Sequence, residues 1–135
     1  MKEYIVKTEE ETKEFARLFA SALKPGDVVV FRGDLGSGKT FIAREIIRFF
    51  HSQEQVVPSP TFTILQTYGN IYHYDLYRIK SENELYEIGL EEALSGENIC
   101  LIEWHEIAQH ILPKNRCEIS IKLDGDLRVI TLTNF

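Results

Sequence analysis

Apolar and polar residues alternate from Glu3 to Lys7, which predicts an edge strand. Thr8-Glu9-Glu10-Glu11 then has the S/T-x-x-E form of a capping box and predicts a helix running through Leu23. Phe15, Leu18, Phe19 and Ala22 recur at helical spacing and predict its buried face. Lys24-Pro25-Gly26-Asp27 is a turn, and Val28-Val29-Val30-Phe31 is a short apolar run that reads as a buried strand. Helical spacing returns from Phe41 to Phe50, and His51 to Val57 is polar and irregular. Pro58-Ser59-Pro60 holds the backbone extended ahead of a β-type run, Thr61 to Leu65. Tyr68-Gly69-Asn70-Ile71 turns this run into a second strand, Tyr72 to Tyr77, as an antiparallel hairpin. A helix from Glu82 to Leu94 is broken at Gly89, Ile99 to Trp104 is a buried strand, and Ile107 to Leu112 is a short helix stopped by Pro113. Cys117 to Leu123 and Leu127 to Thr133 flank Asp124-Gly125-Asp126 as a terminal hairpin.

Between the Val28 strand and the Phe41 helix stands Gly33-Asp34-Leu35-Gly36-Ser37-Gly38-Lys39-Thr40, which satisfies G-x-x-x-x-G-K-[ST] at every constrained position. Its glycines let consecutive N–H groups point into one nest for phosphate oxygens. Lys39 would set an ammonium on the β- and γ-phosphates, and the Thr40 hydroxyl would ligate Mg²⁺. Strand, loop and helix follow in the order that delivers phosphate to a helix N-terminus. The segment therefore reads as a site for ATP or GTP, with Gly33 to Phe41 as its nucleotide-binding residues. The expected fold is α/β: a single P-loop NTPase-type domain over residues 1–135, its mixed sheet extended by antiparallel hairpins and flanked by helices.

Composition narrows the setting. The 135 residues suffice for one core, and 44% hydrophobic with 27% charged residues is ordinary for a globular protein. No apolar run approaches the ~20 residues that span a bilayer. Met1-Lys2-Glu3-Tyr4 lacks the character of a secretory signal, so a cytoplasmic protein is expected. Cys100 and Cys117, with no C-x-x-C spacing, read as buried thiols, not as a disulfide or zinc pair. A formal charge of −6 argues against broad nucleic-acid binding by this chain itself.

Phosphoryl transfer also needs a metal and a group that orients the attacking oxygen. Ile99-Cys100-Leu101-Ile102-Glu103 ends an apolar strand on a carboxylate, the form expected of a Walker B residue that holds Mg²⁺ directly or through water. The plainer alternative is a surface Glu at a strand end. Asp75 interrupts an aromatic strand, where it either pairs with Arg78 or orients water. Thr61 is either a switch-type hydroxyl sensing the γ-phosphate or an ordinary threonine at a strand start. His105-Glu106-Ile107-Ala108-Gln109-His110 imitates a zinc motif. Its histidines are one position too far apart, which on a helix turns them ~140° from each other.

The chain resembles the TsaE family, small P-loop ATPases of bacterial threonylcarbamoyl-adenosine tRNA modification. The likeness covers nearly the whole chain and rests on the P-loop, Ser59-Pro60-Thr61-Phe62-Thr63, His73-Tyr74-Asp75-Leu76-Tyr77-Arg78 and Leu101-Ile102-Glu103-Trp104. The resemblance implies that Lys39 and Thr40 bind phosphate and Mg²⁺, that Glu103 completes the metal site, and that Asp75 is required for hydrolysis. It also implies that Thr61 belongs to a switch-like loop, that Trp104 lies near the nucleotide, and that Thr12 and Arg128 contact the adenine near the terminal hairpin. An accessory ATPase is implied, docking on the TsaD and TsaB subunits and meeting tRNA through them. Activity alone would be weak, in keeping with the absence of an obvious arginine finger beside the P-loop. Ser37 and His105 depart from the family, standing where alanine and proline are common.

Other classes remain as alternatives. A small-molecule kinase would need an acceptor segment and an arginine-bearing lid, and no insertion after Thr40 is long enough for one. A GTPase would need N-K-x-D and D-x-x-G, which are absent. A nucleotide-binding interaction module without turnover would leave Asp75 and Glu103 with no chemistry to do.

Overall fold

Seven strands join in one mixed sheet in the order β1-β7-β6-β2-β5-β4-β3. The computed structural model describes residues 1–52 and 64–134. The elements are β1 (Lys2–Val6), α1 (Glu9–Ser21), β2 (Val28–Arg32), α2 (Lys39–Phe50), β3 (Leu65–Tyr68), β4 (Ile71–Asp75), α3 (Glu82–Glu87), α4 (Leu90–Ser95), β5 (Ile99–Glu103), a 3-10 turn (His105–Ala108), β6 (Cys117–Asp124) and β7 (Leu127–Thr133). The expected Pro58-Ser59-Pro60 segment, Thr61 and most of the polar stretch after His51 lie outside the described residues.

The centre of the sheet is parallel: β2 pairs with β5 and β6, and β5 with β4. Antiparallel pairs flank it, β3 with β4 on one side and β6, β7 and β1 on the other. This is the expected mixed sheet with antiparallel hairpin extensions. Helices cover both faces of the central strands, which is why those strands read as unbroken apolar runs. Val29 and Phe31 of β2 pack with α1 and α2, whereas Val28 and Val30 pack with α3 and α4.

Helix α1 starts where the capping box places it. The Thr8 Oγ1 accepts from the Glu11 N–H at 3.1 Å, and the Glu11 carboxylate accepts from the Lys7 N–H at 3.3 Å. The phase of its buried face differs from the expectation. Thr12, Phe15, Ala16, Phe19 and Ala20 are buried, while Leu18 is 72% exposed and Ala22 is exposed. Ala16 and Ala20 let α1 approach α2 closely, and that packing turns Leu18 outward.

Two further boundaries move. The second hairpin strand stops at Asp75 instead of Tyr77, and β5 stops at Glu103, because Trp104 has a left-handed backbone (φ 57°). That turn begins a single 3-10 turn at His105 in place of a helix over Ile107–Leu112. Gly89, at φ 70°, divides α3 from α4 as expected. His105 is fully buried, whereas His110 is at the surface 3.6 Å from Glu82, so the two imidazoles serve different surroundings.

Both cysteines are buried free thiols. Burial raises the Cys100 thiol to about 11 and, with help from Asp27 and Glu118, the Cys117 thiol to about 12. At pH 8 the thiolate fraction is therefore ~100-fold or more below that of an ordinary cysteine. Alkylation by iodoacetamide, followed by mass spectrometry, is expected to be slower than in urea by at least that factor. Native rates within a few-fold of the urea rates would contradict the packing around both residues.

Candidate nucleotide site

The site lies where the parallel strands end. β2 delivers the loop Gly33–Gly38, and α2 begins directly at Lys39. Gly38 caps α2 in a left-handed conformation (φ 111°) with no side-chain hydrogen bond, so the first N–H groups of the helix have no side-chain cap. Gly33 is irreplaceable sterically: a Cβ there, at φ 154°, would stand 2.9 Å from the Ile121 carbonyl oxygen and 2.5 Å from the Ser37 Oγ. Asp34, Leu35 and Gly36 are exposed at the crown of the loop, Ser37 is buried beneath it, and Phe41 is half-buried on the first turn of α2.

Lys39 folds back over the loop. Its Nζ donates to the Gly33 carbonyl at 2.6 Å and lies 3.4 Å from the centroid of the Trp104 ring. Burial lowers its pKa, opposed by the negative charges of Glu103, Glu106, Asp75 and Asp34. The ring that covers it is itself held by Tyr77, with centroids 4.9 Å apart. Trp104 thus lies against the ammonium of the P-loop lysine.

Glu103 is not a surface residue. It is 2% exposed, and its Oε1 accepts from the Thr40 hydroxyl at 2.7 Å. Its Oε2 is 2.7 Å from His73 Nε2. Asp75 stands opposite Glu103 in the β4–β5 register, so alternation puts His73, Asp75, Leu101 and Glu103 on the sheet face that α2 covers. The Asp75 Oδ1 accepts from the Tyr77 N–H at 3.0 Å. Burial raises its pKa, and the Tyr77 hydrogen bond opposes that rise.

The donors available to a cation are the Thr40 hydroxyl and the Glu103 carboxylate, with Asp75 opposite in register. All are hard oxygen ligands. Among the described residues no three His, Cys, Asp or Glu side chains form a metal cage. That donor set fits Mg²⁺, which keeps most of its waters and takes one or two protein oxygens beside phosphate. It does not fit zinc, which wants four closed N or S ligands.

A second cleft opens next to the loop, with a volume of about 240 Å³, between Thr8 and Thr12 on one side and Asp126, Leu127 and Arg128 on the other. The guanidinium of Arg128 also covers Gly38: its carbon would lie 3.8 Å from a Cβ at that position. Thr12 and Arg128 therefore do meet at one pocket beside the phosphate loop. The Thr12 hydroxyl is committed to the Thr8 carbonyl at 3.1 Å, so Thr12 offers mainly its methyl and backbone.

Sequence reading missed two features. No arginine finger is evident beside the P-loop in sequence, yet β7 brings Arg128 onto Gly38 from 90 positions away. His73 had no assigned role, and the available signal was its place two residues before Asp75 on one strand. Thr61 lies outside the described residues.

Comparison with known proteins agrees with this arrangement. The family model for TsaE, described as a threonylcarbamoyl adenosine biosynthesis protein, matches residues 6–130. The tRNA threonylcarbamoyladenosine biosynthesis protein TsaE of Rickettsia bellii is 54% identical, over 96% of this chain and 93% of its own. The protein of the same name from Bacillus subtilis is 42% identical, over 92% of this chain and 80% of its own. Among solved structures, Bacillus subtilis YdiB superposes with a TM-score of 0.81 at 34% identity, covering 97% of this chain and 83% of its own. With a P-loop fold, the matched family model and relatives of this identity over most of its length, the chain belongs to the TsaE family of threonylcarbamoyl adenosine biosynthesis proteins.

Proposed function

We propose that this protein is an ATPase that binds ATP with Mg²⁺ in the cytoplasm and supports repeated threonylcarbamoyl transfer to tRNA by TsaD and TsaB subunits. The observation that carries the ATPase reading is the hydrogen bond from the half-buried Thr40, at the start of α2, to the buried Glu103. A hydroxyl that gives its proton to a carboxylate keeps its oxygen lone pairs free for a cation, which is what a phosphate site with Mg²⁺ requires. Mg²⁺, when bound by Thr40 and Glu103, would neutralise charge on the phosphates.

The chain's own residues divide the remaining work. The loop amides and the start of α2 receive phosphate oxygens. Lys39 exchanges its contacts with the Gly33 carbonyl and Trp104 for the anionic phosphates, which offset its burial. Asp75, with a raised affinity for protons, orients the attacking water at the end of β4. The cleft lined by Thr12 and Arg128 takes the base, where a guanidinium can stack on an aromatic ring. The acidic chain, formally −6, would meet tRNA through the complex and not directly. Among the described residues no helix is long and apolar enough to cross a membrane.

The test is Mg²⁺-dependent phosphate release from ATP, measured on the protein alone and with the TsaB–TsaD pair. Slow release that rises with the pair is expected. No response to the pair would refute the coupling and direct attention to a small-molecule acceptor. Asp75→Ala is expected to lower release by about 10²-fold while ATP affinity changes only a few-fold. Equal loss of binding and release would instead make Asp75 a structural residue of the site.

A further inference from the structure

We infer that His73 is a positioning residue: it holds the Glu103 carboxylate so that its other oxygen faces Thr40. This rests on the Mg²⁺–nucleotide reading of the site. His73 and Glu103 are both buried, at 0% and 2% exposure, on neighbouring parallel strands. Their atoms Nε2 and Oε2 lie 2.7 Å apart. A carboxylate can only accept, so Nε2 carries the proton in this contact. His73 Nδ1 has no hydrogen-bond partner among the described residues, so the bond to Glu103 is the polar contact that the ring makes there.

The two oxygens of Glu103 are thereby divided between a neighbouring strand and a helix. Oε2 is anchored to β4, and Oε1 is left for the Thr40 hydroxyl at 2.7 Å. A glutamate at a strand end has three rotatable side-chain bonds, and one contact to a hydroxyl would not select one rotamer. A short charge-assisted bond from a packed imidazole does. The orientation of Thr40's lone pairs then depends on a histidine on the neighbouring strand that is not itself needed as a ligand. Partners of this kind, one step behind a metal-binding group, characteristically alter metal affinity by 10–100-fold on removal.

The decisive quantity is the gain in ATP affinity on adding Mg²⁺, measured by calorimetry with Mg²⁺ and with EDTA. His73→Phe keeps a ring and loses the donor, and it is expected to reduce that gain by about tenfold. His73→Gln sets an amide N–H near the Nε2 position and is expected to restore the gain to within about threefold of the unsubstituted protein. Should the Phe variant not fold, His73→Asn serves in its place, because its shorter amide reaches only the Nδ1 position. Melting temperatures are recorded alongside. A lower melting temperature with an unchanged Mg²⁺ gain in the Phe or Asn variant would make His73 a packing residue and overturn the inference. So would a Gln variant no better than Phe. Absence of any Mg²⁺ gain in the unsubstituted protein would remove the reading beneath it, and that failure is visible before any variant is made.

Discussion

Lys39→Met is expected to lower phosphate release by at least about 10²-fold and to leave the melting temperature within about 4 °C of the original. The two effects separate because Lys39 is expensive to hold. The residue is 5% exposed, and burial disfavours its charged form despite four acidic neighbours. Methionine fills a similar volume without that desolvation cost, but it leaves the Gly33 carbonyl without its 2.6 Å donor and forfeits the contact with Trp104. An orphaned polar group costs ~1–3 kcal/mol and an exposed-to-buried cation–π contact contributes ~0.5–2 kcal/mol, so relief and loss are of similar size. A drop in melting temperature well beyond 4 °C would show that the lysine is a structural strut, and the loss of activity would then say little.

The same lysine gives a pH signature. Burial holds its folded pKa below the ordinary lysine value of 10.5, whereas in the unfolded chain it is ordinary. Between those two values the unfolded state binds more protons, so this group's contribution to stability rises with pH there. ATP affinity must move the opposite way, because deprotonation removes the cation that meets the phosphates. Calorimetric titration across the alkaline range just below 10.5 should show affinity falling in the original protein, with little change in Lys39→Met.

The legible and illegible parts of this chain differ in kind. The phosphate loop could be read because its residue types are forced by backbone geometry: Gly33 has room for no Cβ, and Lys39 and Thr40 must follow at the helix start. Glu103 could be read because four apolar residues covered on both faces end on a charge. Both signals are local. What could not be read depends on which elements become neighbours. The His73–Glu103 bond needs β4 to lie parallel beside β5, and Arg128 reaches Gly38 only because the sheet order sets β6 beside β2 and β7 next beyond it. The buried face of α1 was misphased for a related reason: Ala16 and Ala20 carry little hydrophobic signal, yet they decide how closely α2 can pack. Trp104 illustrates a third limit. A left-handed backbone at a large aromatic is unfavourable locally and is tolerated only where the surroundings impose it. Here it covers Lys39 and starts the 3-10 turn, which sequence periodicity placed too late.

Glu103 should separate charge from packing when two substitutions are compared. Glu103→Ala removes the acceptor for both the half-buried Thr40 and the fully buried His73, so the His73 donor is left unpaired away from water. At ~1–3 kcal/mol for an orphaned group, a loss of ~2 kcal/mol or more is expected after the relief of burying one anion is counted. It also strips Lys39 of the neighbour that does most to raise its pKa. Glu103→Gln keeps the shape. With its amide oxygen accepting from His73 Nε2–H and its NH₂ donating to the Thr40 oxygen, both contacts persist with the imidazole proton where it is. Stability of the Gln variant is therefore expected within about 1 kcal/mol of the original, since only a charge-assisted bond is exchanged for a neutral one. Phosphate release should nevertheless fall in both by roughly 10²–10³-fold, because an amide cannot supply the charge that draws a hard cation to Thr40. Urea melts and phosphate release on the same preparations provide the comparison. If Glu103→Gln kept more than a tenth of the original rate, the carboxylate would be a structural acceptor for Thr40 and His73, and the cation would have to be held by Thr40 with Asp75.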